Sequence, residues 1–507
     1  MMTIKNLLLF LLLIIGVATQ AQTHQHGVCG TTDPAELEMI RERLSHNLEV
    51  LRHDGTHPRT GVIKWVPVKM QLVARADGTG RMSERNALIQ LCRLNRDYAN
   101  QEIQFYLKGG TFKYVNNTTI YENGNGIALG TSLKEPNAIN IYFCKTATSG
   151  NTGGVGLTLA YYSPNGDYIV SRTDAAGDTP TLSHEVGHFF SLMHTFYGWE
   201  EGSFDSSFPT WPCAPTHTSI GVLVEKADGS NCQQAADQIC DTPANYILFG
   251  NCNYTGGAKD PTCVLINPDE TNYMGYFDDV CQTNFTPNQM DAMLIDYNSQ
   301  QRAYIRVNYT PNTSEIASAV TLTAPTNNET LSVNYVNLQW NPVAGATNYL
   351  LEYDRTSTFS LAPTRIVVNG ANTYYLNNLL ANKNYYWRVF PFNESNGCGA
   401  SLPISTFKFT TGEVVSVDEI EEINTFAISP NPSSHNQPIL VQIDASESFN
   451  ATFIISDMMG RVISTSTKTI TQGYNTIELA QQPLAAGVYQ VSIRHQNNVA
   501  TKKVVVQ

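Results

Sequence analysis

The run His184-Glu185-Val186-Gly187-His188-Phe189-Phe190-Ser191-Leu192-Met193-His194 brings together the residue types that can do chemistry. A helix repeats every ~3.6 residues, so His184 and His188 lie one turn apart on one face and can reach one metal ion. Glu185 follows the first of these histidines and points beside it, where a metal-bound water would sit. His194 lies too far round to share that face. It joins the metal only if the helix stops near Ser191 and the chain turns back. Three neutral imidazole nitrogens with an open fourth position describe a catalytic zinc rather than a structural one. Such an ion acidifies water and polarises a carbonyl, while the glutamate takes and returns the proton. The competing reading is an amphipathic helix whose histidines are solvated or hydrogen-bonded in a core.

Several elements must position this run. The helix that carries it opens at Thr179-Pro180. Before it, Val62 to Val73 reads as a strand, and Pro67 inside it predicts an edge or first strand. Ser83 caps a helix to about Asn95, with Leu88, Leu91 and Cys92 on its apolar side. Ile103 to Leu107, Ile139 to Phe143, Val155 to Tyr162 and Tyr168 to Ser171 alternate as strands. Strand, helix, strands and then helix predict an α/β (α+β) layer with a mixed sheet and the site helix packed behind it. After the site, Thr286 and Pro287 start another helix, with Met290, Met293, Leu294 and Tyr297 continuing it.

The chain has 507 residues, a length that suggests about three domains. Its hydrophobic fraction of 42% supplies ordinary cores, and its net charge of -13 comes without a Lys/Arg run. That balance argues against nucleic acid and gives no sign of an anionic membrane partner. Lys5, the apolar run Leu7 to Val17 and the small residues up to Ala21 read as a signal peptide over 1–21, too short for a transmembrane segment. In an exported protein the 10 cysteines are mainly disulfide candidates. Cys213, Cys232, Cys240, Cys252 and Cys263 crowd into a Gly-, Pro-, Asn- and Asp-rich stretch, with Cys281 soon after.

Residues 22–59 read as a pro-segment. Asp33-Pro34 starts a helix on which Leu37, Ile40, Leu44, Leu48 and Leu51 recur at helical spacing. Just upstream, Cys29 sits between glycine-bearing neighbours. It is either a thiolate that fills the open zinc position and keeps the enzyme latent, or a disulfide partner, or a thiol without a role. Arg59-Thr60 is a plausible activation cleavage point. Asp237, Asp241 and Thr242 form a short-spaced oxygen cluster, either a calcium site or a disulfide-pinned turn.

Residues 318–412 alternate as an all-β module. Trp340 is expected in its core, and Tyr385 or Tyr386 at a tyrosine corner. Residues 413–425 read as an acidic linker, and 426–507 as a last module of short strands.

Taken together, the zinc run and the turn at Met274 resemble the metzincin clan of zinc peptidases. Glu185-Val186-Gly187, Cys240-Asp241-Thr242-Pro243, Asn272-Tyr273-Met274 before Gly275, Cys281 and Phe285-Thr286-Pro287 with Gln289 resemble its pappalysin (cytophagalysin-like) family. The resemblance covers about residues 22–310, with the peptidase domain expected over 60–312. It implies a secreted zinc metalloendopeptidase that acts on proteins or peptides. His184, His188 and His194 would be the zinc ligands, Glu185 the general base, Met274 the floor beneath the metal and Tyr276 the oxyanion donor. By the same comparison the implied disulfides are Cys240–Cys263 and Cys252–Cys281, with bound calcium and a cysteine-based latency segment. Where the clan usually has a left-handed glycine, this chain has Ser191, at a cost on the order of 1 kcal/mol. Gly275 stands where relatives often have an acid. Asp278 and Asp279 just beyond either line the pocket after the scissile bond or are solvated loop charges. The module at 318–412 resembles a fibronectin type III sandwich. The one at 426–507 resembles the C-terminal sorting domain of the type IX secretion system, which implies that machinery as a partner and export through the outer membrane to the medium or the cell surface. The rival reading is a surface adhesion protein with an inactive peptidase domain.

Overall fold

The structure is a computed structural model that describes residues 28–54, 58–124, 133–148, 158–204, 212–331, 334–361, 363–377, 379–412, 420–434, 437–458, 460–479, 484–496 and 498–507. The signal segment lies outside these residues. In chain order the first elements are β1 (Val28–Cys29), α1 (Pro34–Asp54), β2 (Lys64–Ala74), α2 (Glu84–Asp97), β3 (Ile103–Leu107) and β4 (Lys113–Asn116). They are followed by α3 (Thr118–Asn123), β5 (Ile139–Cys144), β6 (Thr158–Ser163), β7 (Tyr168–Arg172), α4 (Thr181–Phe189) and α5 (Pro287–Asn298).

One seven-stranded mixed sheet runs β1-β6-β7-β5-β2-β3, with β4 also paired to β2. β2 through β5 and β7 are parallel, β6 is antiparallel to β7, and β1 is parallel to β6. Strand alternation sorts the side chains. Val66, Val68, Met70, Leu72, Ile141 and Phe143 join the core beneath α1, α2, α4 and α5. Val73, Tyr142, Cys144 and Tyr161 join a second core with Ile120 and Tyr121 of α3.

Pro67 does not mark an edge; β2 is instead the first strand after the expected pro-segment. β2 lies inside the sheet, and its ladder to β5 begins only at Val68, while Pro67 is matched to Tyr106 of β3. The missing N–H therefore falls where β2 is paired on one side alone, a position proline tolerates.

Both expected helix starts hold. The Asp33 carboxylate accepts from the Ala35 and Glu36 amides at 2.9 and 3.3 Å. Thr286 and Gln289 cap α5 reciprocally, with Pro287 in the first turn. The end of α4 is held differently. The buried Arg302 guanidinium donates to the Phe189 carbonyl and lies 3.7 Å from the centroid of the Phe189 ring. Asp296 and Asp167 balance its charge at 2.8 and 2.7 Å.

Among the described residues the disulfides are Cys92–Cys398, Cys213–Cys263, Cys232–Cys240 and Cys252–Cys281. Cys252–Cys281 matches the expectation, and Cys240–Cys263 does not form. A β-bridge between Cys213 and Lys259 draws the 263 turn to Cys213. Cys240 instead closes a local loop of sequence separation 8 with Cys232.

The next strands are β8 (Leu322–Ala324), β9 (Glu329–Thr330), β10 (Val336–Trp340), β11 (Asn348–Asp354), β12 (Thr364–Asn369), β13 (Thr373–Leu376), β14 (Asn384–Phe392) and β15 (Phe407–Thr410). They form sheets β13-β10-β8 and β12-β11-β14-β15-β9 around a core holding Trp340 and Trp387. The corner tyrosine is Tyr385, whose hydroxyl accepts from the Leu380 amide at 2.9 Å. This sandwich docks on α2. Leu350, Phe390, Phe392 and Ala400 enter the first core, Arg85 stacks over Phe390, and Cys92–Cys398 crosslinks the two.

The last strands are β16 (Ile423–Ser429), β17 (Leu440–Ala445), β18 (Phe449–Asp457), β19 (Val462–Ile470), β20 (Gly473–Glu478), β21 (Gly487–His495) and β22 (Asn498–Val506). They form sheets β16-β17-β20 and β19-β18-β21-β22 over a separate core. Ile420 and Ile423 are buried in that core, so this module begins before residue 426 and the linker is shorter than 413–425. The reason is simple: two isoleucines inside an acidic stretch still bury when a sheet edge offers them a partner. Among the described residues no helix is long and apolar enough to cross a membrane.

Candidate metal centre

α4 is buried along nearly its whole length, so its histidines point into protein rather than solvent. His184 and His188 bring their Nε2 atoms to 3.1 Å, as one helical turn dictates. The helix stops after Phe189. Ser191 takes φ 67°, its amide donates to the His188 carbonyl at 3.0 Å, and the Leu192 amide donates to Gly187 at 3.0 Å. This pair of bonds is a Schellman turn with serine at the left-handed position. The turn sends His194 back, and its Nε2 comes to 3.1 Å from that of His188. The fully buried Ser191 hydroxyl accepts from Asn47 of α1 at 2.9 Å, which gives the serine a partner that a glycine would lack.

The other ring nitrogens are all engaged. His184 Nδ1 faces the Tyr273 carbonyl at 2.7 Å, His188 Nδ1 the Leu192 carbonyl at 2.8 Å, and His194 Nδ1 the Glu200 carboxylate at 3.3 Å. With Nδ1–H donating outward, each Nε2 presents a lone pair inward. Burial, and then the neighbouring His194, lower His184 to about 3 and push His188 well down, so both rings are neutral. Three converging lone pairs in a dry site suit a cation. The Nε2 atoms of the histidines and the Cys29 sulfur all lie within 4.8 Å of one another.

Glu185 is fully buried. Its Oε2 is 3.5 Å from the Cys29 sulfur and from the Thr31 hydroxyl, and its Oε1 has no hydrogen-bond partner among the described residues. Burial raises its carboxyl to about 8. Tyr276 places its hydroxyl 3.2 Å from His194 Nε2, and accepts from the Cys29 amide at 2.9 Å. Burial, and then Cys29, push the phenol well up, so it stays a donor. The Cys29 thiol is itself pushed up by burial and by Glu185. Met274 is buried below α4, against Gly187.

The sequence-predicted residues thus gather around one point: His184, His188, His194, Glu185, Tyr276, Met274 and Cys29. The oxygen cluster lies elsewhere. Asp237 accepts from the Ile239 amide at 3.1 Å and the Thr242 hydroxyl at 3.0 Å. Asp241 accepts from the Thr286 hydroxyl at 2.6 Å and the Asn288 amide at 2.8 Å, and so helps start α5. Asp278 is half-buried and Asp279 exposed, in the turn that leads to Cys281. Sequence reasoning missed Glu200, which orients His194, and Glu225, a buried carboxyl that burial and Asp237 push upward. Neither stands in a motif. Each is recognisable only once the chain has folded its irregular loops together.

Residues 144–296 match the family described as Pregnancy-associated plasma protein-A, and residues 427–507 match the secretion system C-terminal sorting domain. An extracellular metalloprotease of Colletotrichum graminicola is 28% identical over 47% of this chain and 77% of its own. One from Pyricularia oryzae is 29% identical over 42% of this chain and 67% of its own. A solved promirolysin mutant of Tannerella forsythia aligns with a TM-score of 0.35 and 19% identity, over 54% of this chain and 95% of its own. The chain is a secreted or cell-surface metalloendopeptidase that is similar to the pappalysin family over residues 144–296 and carries a C-terminal secretion sorting domain.

Proposed function

We propose that this metalloendopeptidase is zinc-dependent, uses Glu185 as its general base and is made as a latent proenzyme. What supports the reading is one juxtaposition: His188 Nε2 at 3.1 Å from both His184 and His194, with Glu185 and the Cys29 sulfur alongside. His184, His188 and His194 hold the zinc, which when bound supplies the Lewis acidity that activates water and polarises the scissile carbonyl. Glu185 accepts the proton of the attacking water and returns it to the leaving amine. The Tyr276 hydroxyl donates to the oxygen that becomes negative. Arg302 and the Ser191 turn keep the helix end and His194 in register. An extended peptide adds along the edge of β6 that β1 occupies in this chain.

Latency follows from the same groups. Cys29 is a free, buried cysteine rather than a disulfide partner, and its sulfur lies within 4.8 Å of the three imidazoles with Glu185 beside it, as a latency ligand would. We assign residues 1–21 to a signal peptide and 22–59 to the pro-segment, released at Arg59-Thr60. The Arg59 guanidinium is held by Asp291 at 2.7 Å while its side chain is 37% exposed. The peptidase domain then spans 60–312, the sandwich at 318–412 is of fibronectin type III kind, and the sorting tail engages the type IX secretion machinery.

Two finer assignments belong to the same reading. Asp237 and Glu225 are both buried carboxyls raised by burial and by their neighbours, an arrangement that a structural calcium with the Thr242 hydroxyl nearby would relieve. Asp278 and Asp279 follow Tyr276 closely and would favour Arg or Lys on the leaving side. The zinc reading is tested on the processed enzyme: casein cleavage stops in chelator and returns with stoichiometric zinc. Cleavage by protein shown to be metal-free contradicts it.

A further inference from the structure

Thr31 is fully buried and no motif marks it. Its amide donates to the Cys29 sulfur at 3.3 Å. Its hydroxyl accepts from the Tyr162 amide at 3.0 Å, and its single proton faces the Tyr162 carbonyl at 3.1 Å and Glu185 Oε2 at 3.5 Å. One step earlier along the same edge, the Gly30 amide donates to the Ala160 carbonyl at 2.7 Å.

These contacts lie on the side of β6 that β1 covers. The other side of that strand is paired with β7, Ala160 opposite Ser171 and Tyr162 opposite Ile169. The carbonyl of Ala160 and both main-chain groups of Tyr162 are the ones an added peptide strand would need. Gly30 satisfies the first as a strand would. The Thr31 side chain then takes both groups of Tyr162, so one hydroxyl stands in for the backbone of the next paired residue. The same residue reaches the thiol and the general base.

We propose that Thr31 is the positioning residue of the latency device. It closes the peptide-binding edge at Tyr162 and, from that anchor, holds the Cys29 sulfur and Glu185 in place. This rests on the latent-proenzyme reading above. Cys29 blocks the chemistry, and Thr31 fixes where Cys29 can be. A β-branched residue without a hydroxyl fills the same space but leaves both main-chain groups of Tyr162 and the base without that partner.

The test uses the full-length proenzyme as wild type, Thr31→Val, Thr31→Ala, Thr31→Ser and Cys29→Ala. Alkylation of Cys29 by iodoacetamide is followed by mass spectrometry, together with hydrogen exchange at Tyr162 and in α1, and the lag before self-processing. Thr31→Val is expected to alkylate at Cys29 about tenfold faster, as loss of one hydrogen bond allows. It should also expose the Tyr162 amide, shorten the lag and leave α1 protected, while Thr31→Ser behaves as wild type. Alkylation and Tyr162 exchange equal to wild type in Thr31→Val overturn the proposal. So does equal loss of protection in α1, which would mean general loosening. If Thr31→Val does not fold, a Thr31→Ser proenzyme as reactive as Thr31→Ala overturns it instead. The latency reading fails separately, through a Cys29→Ala proenzyme with the wild-type lag.

Discussion

Gly187 and Met274 meet so closely that a Cβ on the glycine would lie 2.4 Å from the methionine sulfur. The glycine sits between the two histidines of α4, so Met274 presses against the one position of that helix that carries no side chain. Gly187→Ala should push α4 away from Met274. Overpacking of this kind costs about 1–3 kcal/mol. The expected outcome is a lower melting temperature and weaker metal retention, read by thermal unfolding and metal analysis. A variant as stable and as metal-replete as wild type would show that the floor can yield.

Ser191 carries a left-handed backbone, with φ 67°, that costs a side-chain residue about 1 kcal/mol. In the processed enzyme, Ser191→Gly should raise the melting temperature by about 2–4 °C, with zinc affinity unchanged or improved. In the proenzyme the gain should shrink, because the bond from Asn47 is lost. A marked loss of zinc would mean that His194 is held in some other way.

Cys92–Cys398 ties α2 to the sandwich, and Gly397 lies against Leu88, where a Cβ would come 2.1 Å from its carbonyl. The sandwich is therefore a docked part of the peptidase rather than a loosely tethered module. After limited proteolysis between the two, the fragments should migrate together on a non-reducing gel and separate on reduction. Cys92→Ser should release them without reductant and lower stability by about 2–5 kcal/mol.

The metal-free protein should respond to pH in two windows. Burial holds His184 at about 3, below its ordinary value of 6.5, so folding strips its proton and stability falls as pH drops below 6.5. Burial raises Glu185 from 4.5 to about 8, so the stability of its protonated form is lost as pH rises from 4.5 through 8. Chelated Glu185→Gln protein should lose the second dependence and keep the first, as seen in melting temperatures across the range. Parallel curves for wild type and variant would contradict this.

Local chemistry was the legible part of the chain. The spacing of His184, His188 and His194, the caps at Asp33 and Thr286, and the buried Trp340 all act through residues close in sequence or through simple alternation. What escaped depended on distant partners. Pro67 suggests an edge or first strand because proline lacks a donor; β2 is the first strand after the expected pro-segment but lies inside the sheet, with its ladder to β5 starting one residue later. Cys240 was assigned to Cys263 by resemblance, while a local loop and a separate bridge at Cys213 decided the pairing. Glu200, Asn47 and Thr31 reach the centre from other elements, and no periodicity announces them.

In the proposed mechanism Glu185 moves the proton at a zinc that three histidines would hold. The direct measurement compares casein cleavage and bound zinc in processed wild type and Glu185→Ala. Retained zinc with cleavage lowered by at least about a hundredfold is the predicted result, in line with the loss of a general base. Cleavage at the wild-type rate by Glu185→Ala would contradict the account.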